Sequence, residues 1–179
     1  EYWGNVKPIG IRSCYDEGKR ASETLIHGYV NTKKLKGKIV RIFNTYGPFM
    51  DKNDGRVVSN FINQALNNQD LTLYGEGLQT RSFCYIDDLL EILITFAFAD
   101  DNFMGPLNIG NPQEFSVREL ANLVINLTQS KSKIKYLALP QDDPKQRCPN
   151  IDLARSRYNF SPKISLERGL IKTISYFKK

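Results

Sequence analysis

The sequence predicts an α/β fold. Short β-branched or aromatic runs alternate with longer amphipathic stretches, and glycine or proline punctuates the changes between them. The 179 residues are 41% hydrophobic and 25% charged, the balance of an ordinary globular domain. That composition excludes a disordered tail, a coiled coil and a fibrous repeat. The longest apolar run, residues 89–99, contains Glu91 and falls short of the ~20 residues that a membrane helix needs.

Each element follows from local pattern. Over residues 14–30, Ala21, Leu25 and Tyr29 recur at four-residue spacing, with Gly18, Ser22 and Ile26 on the adjoining stripe, which predicts a helix. Pro8 and Gly10 precede it as a loop, and Gly37 closes the turn after it. Residues 38–44 (KIVRIFN) read as a strand ended by Gly47-Pro48. Residues 56–67 carry Val57, Phe61, Ala65 and Leu66 on one helical face. Residues 71–74 form a short strand stopped by Gly75 and Gly77, and residues 81–86 alternate as another. Asp87 is expected to cap the apolar helix 89–99. A strand over 106–109 stops at Gly110. Ser116 and Glu119 make a capping box for a helix over 117–127. A strand over 133–139 and helices over 151–158 and 166–177 finish the chain.

The formal net charge of +6 sits in two clusters. One is Lys33, Lys34, Lys36 and Lys38; the other is Lys163, Arg168, Lys172, Lys178 and Lys179 against Glu167 alone. Both read as solvated surface, and no nucleic-acid partner is expected. Cys14, Cys84 and Cys148 are odd in number, widely spaced and free of any CxxC pair. They make no disulfide framework and suit a reducing compartment. With His27 as the single histidine, no metal site is expected. The start, Glu1-Tyr2-Trp3-Gly4, shows no signal-peptide pattern.

The chemistry concentrates first in Tyr15-Asp16-Glu17-Gly18-Lys19. Tyr and Lys four apart share a helical face. A phenol is a poor base at neutral pH, and a neighbouring ammonium stabilises its phenolate. Such a pair can take a proton from a hydroxyl while hydride leaves the same carbon. Taken alone, the pair equally fits an amphipathic tyrosine beside a snorkelling lysine. No GxGxxG stands anywhere, although a dinucleotide-binding sheet places its phosphate loop after its first strand. The expectation is therefore that the earlier half of such a fold lies outside these residues.

The surrounding motifs decide between the two readings of the pair. Tyr2-Trp3-Gly4-Asn5-Val6-Lys7-Pro8-Ile9-Gly10 and Cys14-Tyr15-Asp16-Glu17-Gly18-Lys19-Arg20 resemble the UDP-glucuronate decarboxylases (UDP-xylose synthases), of the extended short-chain dehydrogenase/reductase superfamily. The likeness continues through Arg41-Ile42-Phe43-Asn44-Thr45-Tyr46-Gly47-Pro48 and the run from Asn53-Asp54-Gly55-Arg56 to Ile62. It resumes at Gln79-Thr80-Arg81-Ser82-Phe83-Cys84-Tyr85, Asn108-Ile109-Gly110-Asn111-Pro112 and Asp142-Asp143-Pro144.

The resemblance implies the C-terminal part of an NAD-binding Rossmann-type doubly wound fold plus a small α/β substrate-binding domain. Residues 1–50 would be the latter part of the dinucleotide-binding domain. Residues 51–179 would be mainly the sugar-nucleotide region, with some elements returning to the Rossmann sheet. The implied activity is conversion of UDP-glucuronate to UDP-xylose and CO2. The sugar's C4 hydroxyl is oxidised against bound NAD, the carboxylate β to the new ketone leaves as CO2, and hydride returns. Tyr15 would be the base, with Lys19 as its partner and a ribose ligand. Thr45 and Arg56 would lie by the cofactor, Arg56 also at the reacting centre. Tyr29, Asn44, Tyr74, Gln79 and Arg81 would contact the substrate, and Arg147 would meet the sugar carboxylate.

Departures from the family pattern are Phe49, where relatives carry Arg, and Cys148 and Asn150, where they carry a basic residue and Asp. The resemblance further implies a homodimer built on the Tyr-Lys helix, and a cytoplasmic enzyme, or one in the Golgi or ER lumen where a membrane anchor precedes it. The chain alone is expected to be inactive and not to bind NAD. Other readings are a UDP-sugar 4-epimerase or dehydratase of the same superfamily, and a non-catalytic module that binds UDP-sugars or packs on a partner.

Overall fold

The computed structural model describes residues 9–10, 13–139 and 146–179. The first helix, α1 (Ser13–Lys33), leads to β1 (Val40–Ile42) and β2 (Thr45–Tyr46). Next come α2 (Val57–Leu66), β3 (Leu71–Tyr74), β4 (Thr80–Ser82), β5 (Cys84–Tyr85) and α3 (Ile86–Phe98). The remainder is β6 (Leu107–Ile109), β7 (Glu114–Ser116), α4 (Val117–Thr128), β8 (Ile134–Leu137), β9 (Gln146–Arg147), α5 (Asp152–Tyr158) and α6 (Leu166–Phe177). The mixed α/β class is as predicted. No described helix is long and apolar enough to cross a membrane.

Pairing is mostly parallel. β1 pairs with β6, β2 with β5 and β3 with β8, all in parallel register. β4 lies between antiparallel β7 and parallel β9. Parallel neighbours need crossovers: the connection from β2 to its partner β5 includes α2, and that from β3 to its partner β8 includes α4.

The single strand expected over 38–44 divides. The Phe43 amide donates to Ile109 (2.9 Å), the last bond towards β6. The Asn44 carbonyl then accepts from the Cys84 amide (2.8 Å), the first bond towards β5. The chain changes partner between these two residues, so Asn44 and Thr45 sit where two strand pairs diverge. The strand expected over 81–86 divides likewise around Phe83: β4 joins one sheet and β5 another.

Asp87 does not cap α3. Tyr85 occupies the N-cap without a side-chain bond, and Asp87 lies in the first turn, where a carboxylate still faces the positive helix end. Its neighbour Asp88 is buried and accepts from the backbone amides of Lys163 (3.1 Å) and Ile164 (3.0 Å), which tethers the segment before α6. The capping box on α4 forms as expected.

Two apolar clusters hold the elements. The larger joins α2, β3, α4 and α6 through Phe61, Ile62, Leu73, Leu120, Val124 and Leu170. The smaller joins α3, β6 and α5 through Ile92, Phe96, Leu107, Ile109 and Ile151. Tyr46, buried at the end of β2, belongs to the first cluster and donates to the Leu166 carbonyl (3.1 Å). Helix α1 joins neither: Ser13 is its only buried residue, and Leu25, Ile26 and Tyr29 are exposed.

Candidate active site

The Tyr-Lys pair forms as its spacing requires. Along α1 the Lys19 ammonium lies 5.6 Å from the centre of the Tyr15 ring, within cation–π reach. Tyr15 is 62% exposed, so its hydroxyl is open to a ligand. With no apolar face buried, α1 depends on polar fastening. Glu23 supplies it: Arg41 of β1 donates to both of its oxygens, Nε at 2.7 Å and a terminal nitrogen at 2.8 Å.

Asn44 and Thr45 stand at the carboxyl end of β1 and the start of β2. Open α/β sheets bind ligands outside the carboxyl ends of their strands. Thr45 Oγ1 donates to the Phe43 carbonyl (2.9 Å), which orients the hydroxyl at the divergence.

Arg56 immediately precedes α2. Gly55 takes a left-handed φ of +80°, which suits glycine. Asp54 organises this turn: its Oδ1 accepts from the Arg56 amide (2.9 Å) and from the Ser59 hydroxyl, and its Oδ2 lies 3.0 Å from Arg56 Nε. The Arg56 side chain remains 66% exposed.

Arg81 and Arg147, far apart in sequence, become neighbours. They are register partners on parallel β4 and β9, so their side chains leave the same face of that sheet. Two guanidinium groups on one face suit an anionic ligand. Tyr74 and Gln79 are linked at the end of β3: Gln79 Nε2 donates to the Tyr74 carbonyl (3.1 Å). Tyr29 is set apart. It lies near the far end of α1, about 21 Å along the axis from Tyr15, so the two cannot meet one reacting centre.

The departures are accommodated. Phe49 adopts a left-handed φ of 67° and packs its ring 4.9 Å from that of Tyr176. Cys148 donates its thiol to the Pro112 carbonyl (3.3 Å). Asn150 Oδ1 accepts from the Asp152 amide (2.8 Å) at the start of α5, a bond an aspartate would make equally. The stretches at 2–8 and 142–144 lie outside the described residues.

Sequence pattern missed two features of the site: the Glu23–Arg41 pair, and the polar network of Thr80, Glu114 and Gln146 behind the two arginines. Both cross between strands or from strand to helix, and no local spacing signals them.

The donor set at Tyr15, Lys19 and Thr45 (phenol, ammonium and hydroxyl) matches the hydroxyl-rich nicotinamide-ribose end of a dinucleotide. It includes no glycine-rich cradle for the diphosphate, and no such loop stands in the sequence.

Comparison with known proteins bears on this arrangement. Residues 4–110, more than half of the chain, match the model of the NAD dependent epimerase/dehydratase family. UDP-glucuronic acid decarboxylase 1 of Xenopus tropicalis is 49% identical over 179 residues, covering 100% of this chain and 42% of that protein. UDP-glucuronic acid decarboxylase 5 of Arabidopsis thaliana is 51% identical over 169 residues, covering 94% and 49%. The chain thus spans less than half the length of either relative. Among solved structures, the UDP-glucuronic acid 4-epimerase of Bacillus cereus, in complex with UDP-glucuronic acid and NAD, superposes with a TM-score of 0.86 at 29% identity. That match covers 98% of this chain and 56% of the epimerase.

Proposed function

The chain belongs to the NAD dependent epimerase/dehydratase family, and on that basis we propose that the protein carrying it converts UDP-glucuronate to UDP-xylose and CO2. The observation that carries the reading is the pairing of two chemistries in one chain. One is a proton-transfer pair on α1, and the other is a two-arginine face on β4 and β9. An enzyme that both oxidises an alcohol and handles a carboxylate with a diphosphate needs both. About 50% identity to proteins named UDP-glucuronic acid decarboxylase supports it.

NAD, when bound, supplies the acceptor and donor of hydride at the sugar's C4. Tyr15 removes the C4 hydroxyl proton and later returns it. Lys19 stabilises the charge on Tyr15 and would hold the cofactor ribose, with Thr45 and Arg56 completing that side. Arg147 holds the sugar carboxylate, and Arg81 the diphosphate. Asn44 contacts the sugar, and Tyr74 and Gln79 border the uridine. Among these groups the arginines give orientation, which is worth as much as the base in a multistep reaction.

The exposed apolar side of α1, with Leu25, Ile26 and Tyr29, supports a homodimer in which α1 packs on its symmetry mate. Sedimentation equilibrium of the protein carrying this chain tests it, and a monomer at micromolar concentration would contradict it.

A second reading, C4 epimerisation of the same substrate, is favoured by the likeness to the Bacillus cereus enzyme. Mass spectrometry of the product separates them: a UDP-pentose supports decarboxylation, and a UDP-hexuronate with inverted C4 supports epimerisation.

A further inference from the structure

We infer that Glu114 is a positioning residue. Its carboxylate fastens the two-residue strand β9 to β4 and thereby sets Arg147 beside Arg81. The inference rests on the proposed function only for the identity of the ligand, UDP-glucuronate.

Register sets the arrangement of this sheet. β4 pairs Arg81 with Phe115 on one side and Arg147 on the other. It pairs Thr80 with Ser116 and Gln146, and Ser82 with Glu114. Side chains alternate along a strand, so Arg81, Phe115 and Arg147 share one face of this sheet. Thr80, Ser82, Glu114, Ser116 and Gln146 share the other.

On that second face Glu114 spans all three strands. It accepts from the Thr80 hydroxyl of β4 at 2.6 Å. It accepts from the Gln146 amide of β9 at 3.0 Å on one oxygen and 2.8 Å on the other. Bonds to an ionised carboxylate are roughly twice as strong as neutral ones.

β9 needs such a fastening. A strand of two residues at a sheet edge has a short ladder to hold it. Its register also puts Arg147 directly beside Arg81. The network behind the sheet opposes their separation. Gln146 and Arg147 are adjacent, so a bond that fixes the first fixes the backbone of the second. Glu114 acts through Arg147 and need not touch the ligand.

The test compares the wild-type protein carrying this chain with Glu114→Ala, Gln146→Ala, Arg147→Ala and the Glu114→Ala/Arg147→Ala double variant. Hydrogen–deuterium exchange at residues 146–148 is read without ligand. It should rise about tenfold in Glu114→Ala and Gln146→Ala, while exchange in β3 and the melting temperature stay unchanged. Calorimetric binding of UDP-glucuronate should weaken about fivefold in Glu114→Ala but be no weaker in the double variant than in Arg147→Ala. Gln146→Ala removes only the exposed link, and it carries the test if Glu114→Ala fails to fold. Unchanged exchange at 146–148, or independent multiplication of the two binding losses, would overturn the inference. Binding of UDP-glucuronate without formation of UDP-xylose would instead overturn the proposed function and leave the exchange result standing.

Discussion

Arg41 grips Glu23 through two hydrogen bonds of 2.7 and 2.8 Å, joining β1 to the middle of the helix that carries Tyr15 and Lys19. Both side chains are largely shielded from solvent, at 19% and 16% exposure. This pair matters because α1 buries so little else. Removing one partner strands a shielded charge, so Arg41→Ala should cost about 2 kcal/mol, measured by urea unfolding. Arg41→Lys should recover only part of that, since an ammonium cannot make the two parallel bonds. Turnover should fall with stability, because the fastened helix holds Tyr15 and Lys19, the proposed proton-transfer pair.

Tyr15→Phe removes the hydroxyl and keeps the ring that meets Lys19. Turnover of UDP-glucuronate should drop about a thousandfold or more, while UDP still binds with wild-type affinity by calorimetry. Full activity in Tyr15→Phe would remove this residue from the mechanism.

Gly169 in α6 lies against buried aromatics. A Cβ added there would meet the Tyr46 hydroxyl and stand 2.7 Å from the Tyr85 ring. Burial also holds the Tyr46 phenol well above its ordinary ionisation range, so the ring stays neutral and keeps its bond to the Leu166 carbonyl. Gly169→Ala should destabilise by about 3 kcal/mol through overpacking, seen as a lower melting temperature.

Acid should weaken the chain at the start of α4. The Ser116 backbone amide, and then its hydroxyl, hold the Glu119 carboxyl below the ordinary carboxylate range. Its folded value is depressed, so its contribution is complete above the ordinary carboxylate value and is lost as pH falls through the folded one. Ser116→Ala should therefore cost about 1 kcal/mol at neutral pH, and less in acid, where Glu119 is protonated in both proteins. Urea titrations at both pH values check this.

What was legible in the sequence was local. α6 and β3 have the predicted bounds because their periodicity and the Gly75 stop lie within a few residues. The Ser116–Glu119 box and the Tyr15–Lys19 spacing are equally local. What was not legible depends on pairing. β7 and β9 are too short to show alternation, and they exist because β4 lies between them. The run at 38–44 reads as one strand, yet it divides because Phe43 and Asn44 bond to different neighbours. Asp87 has the composition of a cap, but helix α3 begins one residue before it. At the site, motif resemblance singled out Arg81 and Arg147 separately. Only the register makes them one face, and only the fold puts Glu114 behind them.

The proposed reaction turns on loss of the sugar carboxylate. Its most direct test is incubation of the protein carrying this chain with NAD and UDP-glucuronate labelled in the carboxyl carbon. The label should leave as CO2, one for each UDP-xylose formed, with no net accumulation of NADH. Label retained in the nucleotide sugar, recovered as UDP-galacturonate, would contradict it.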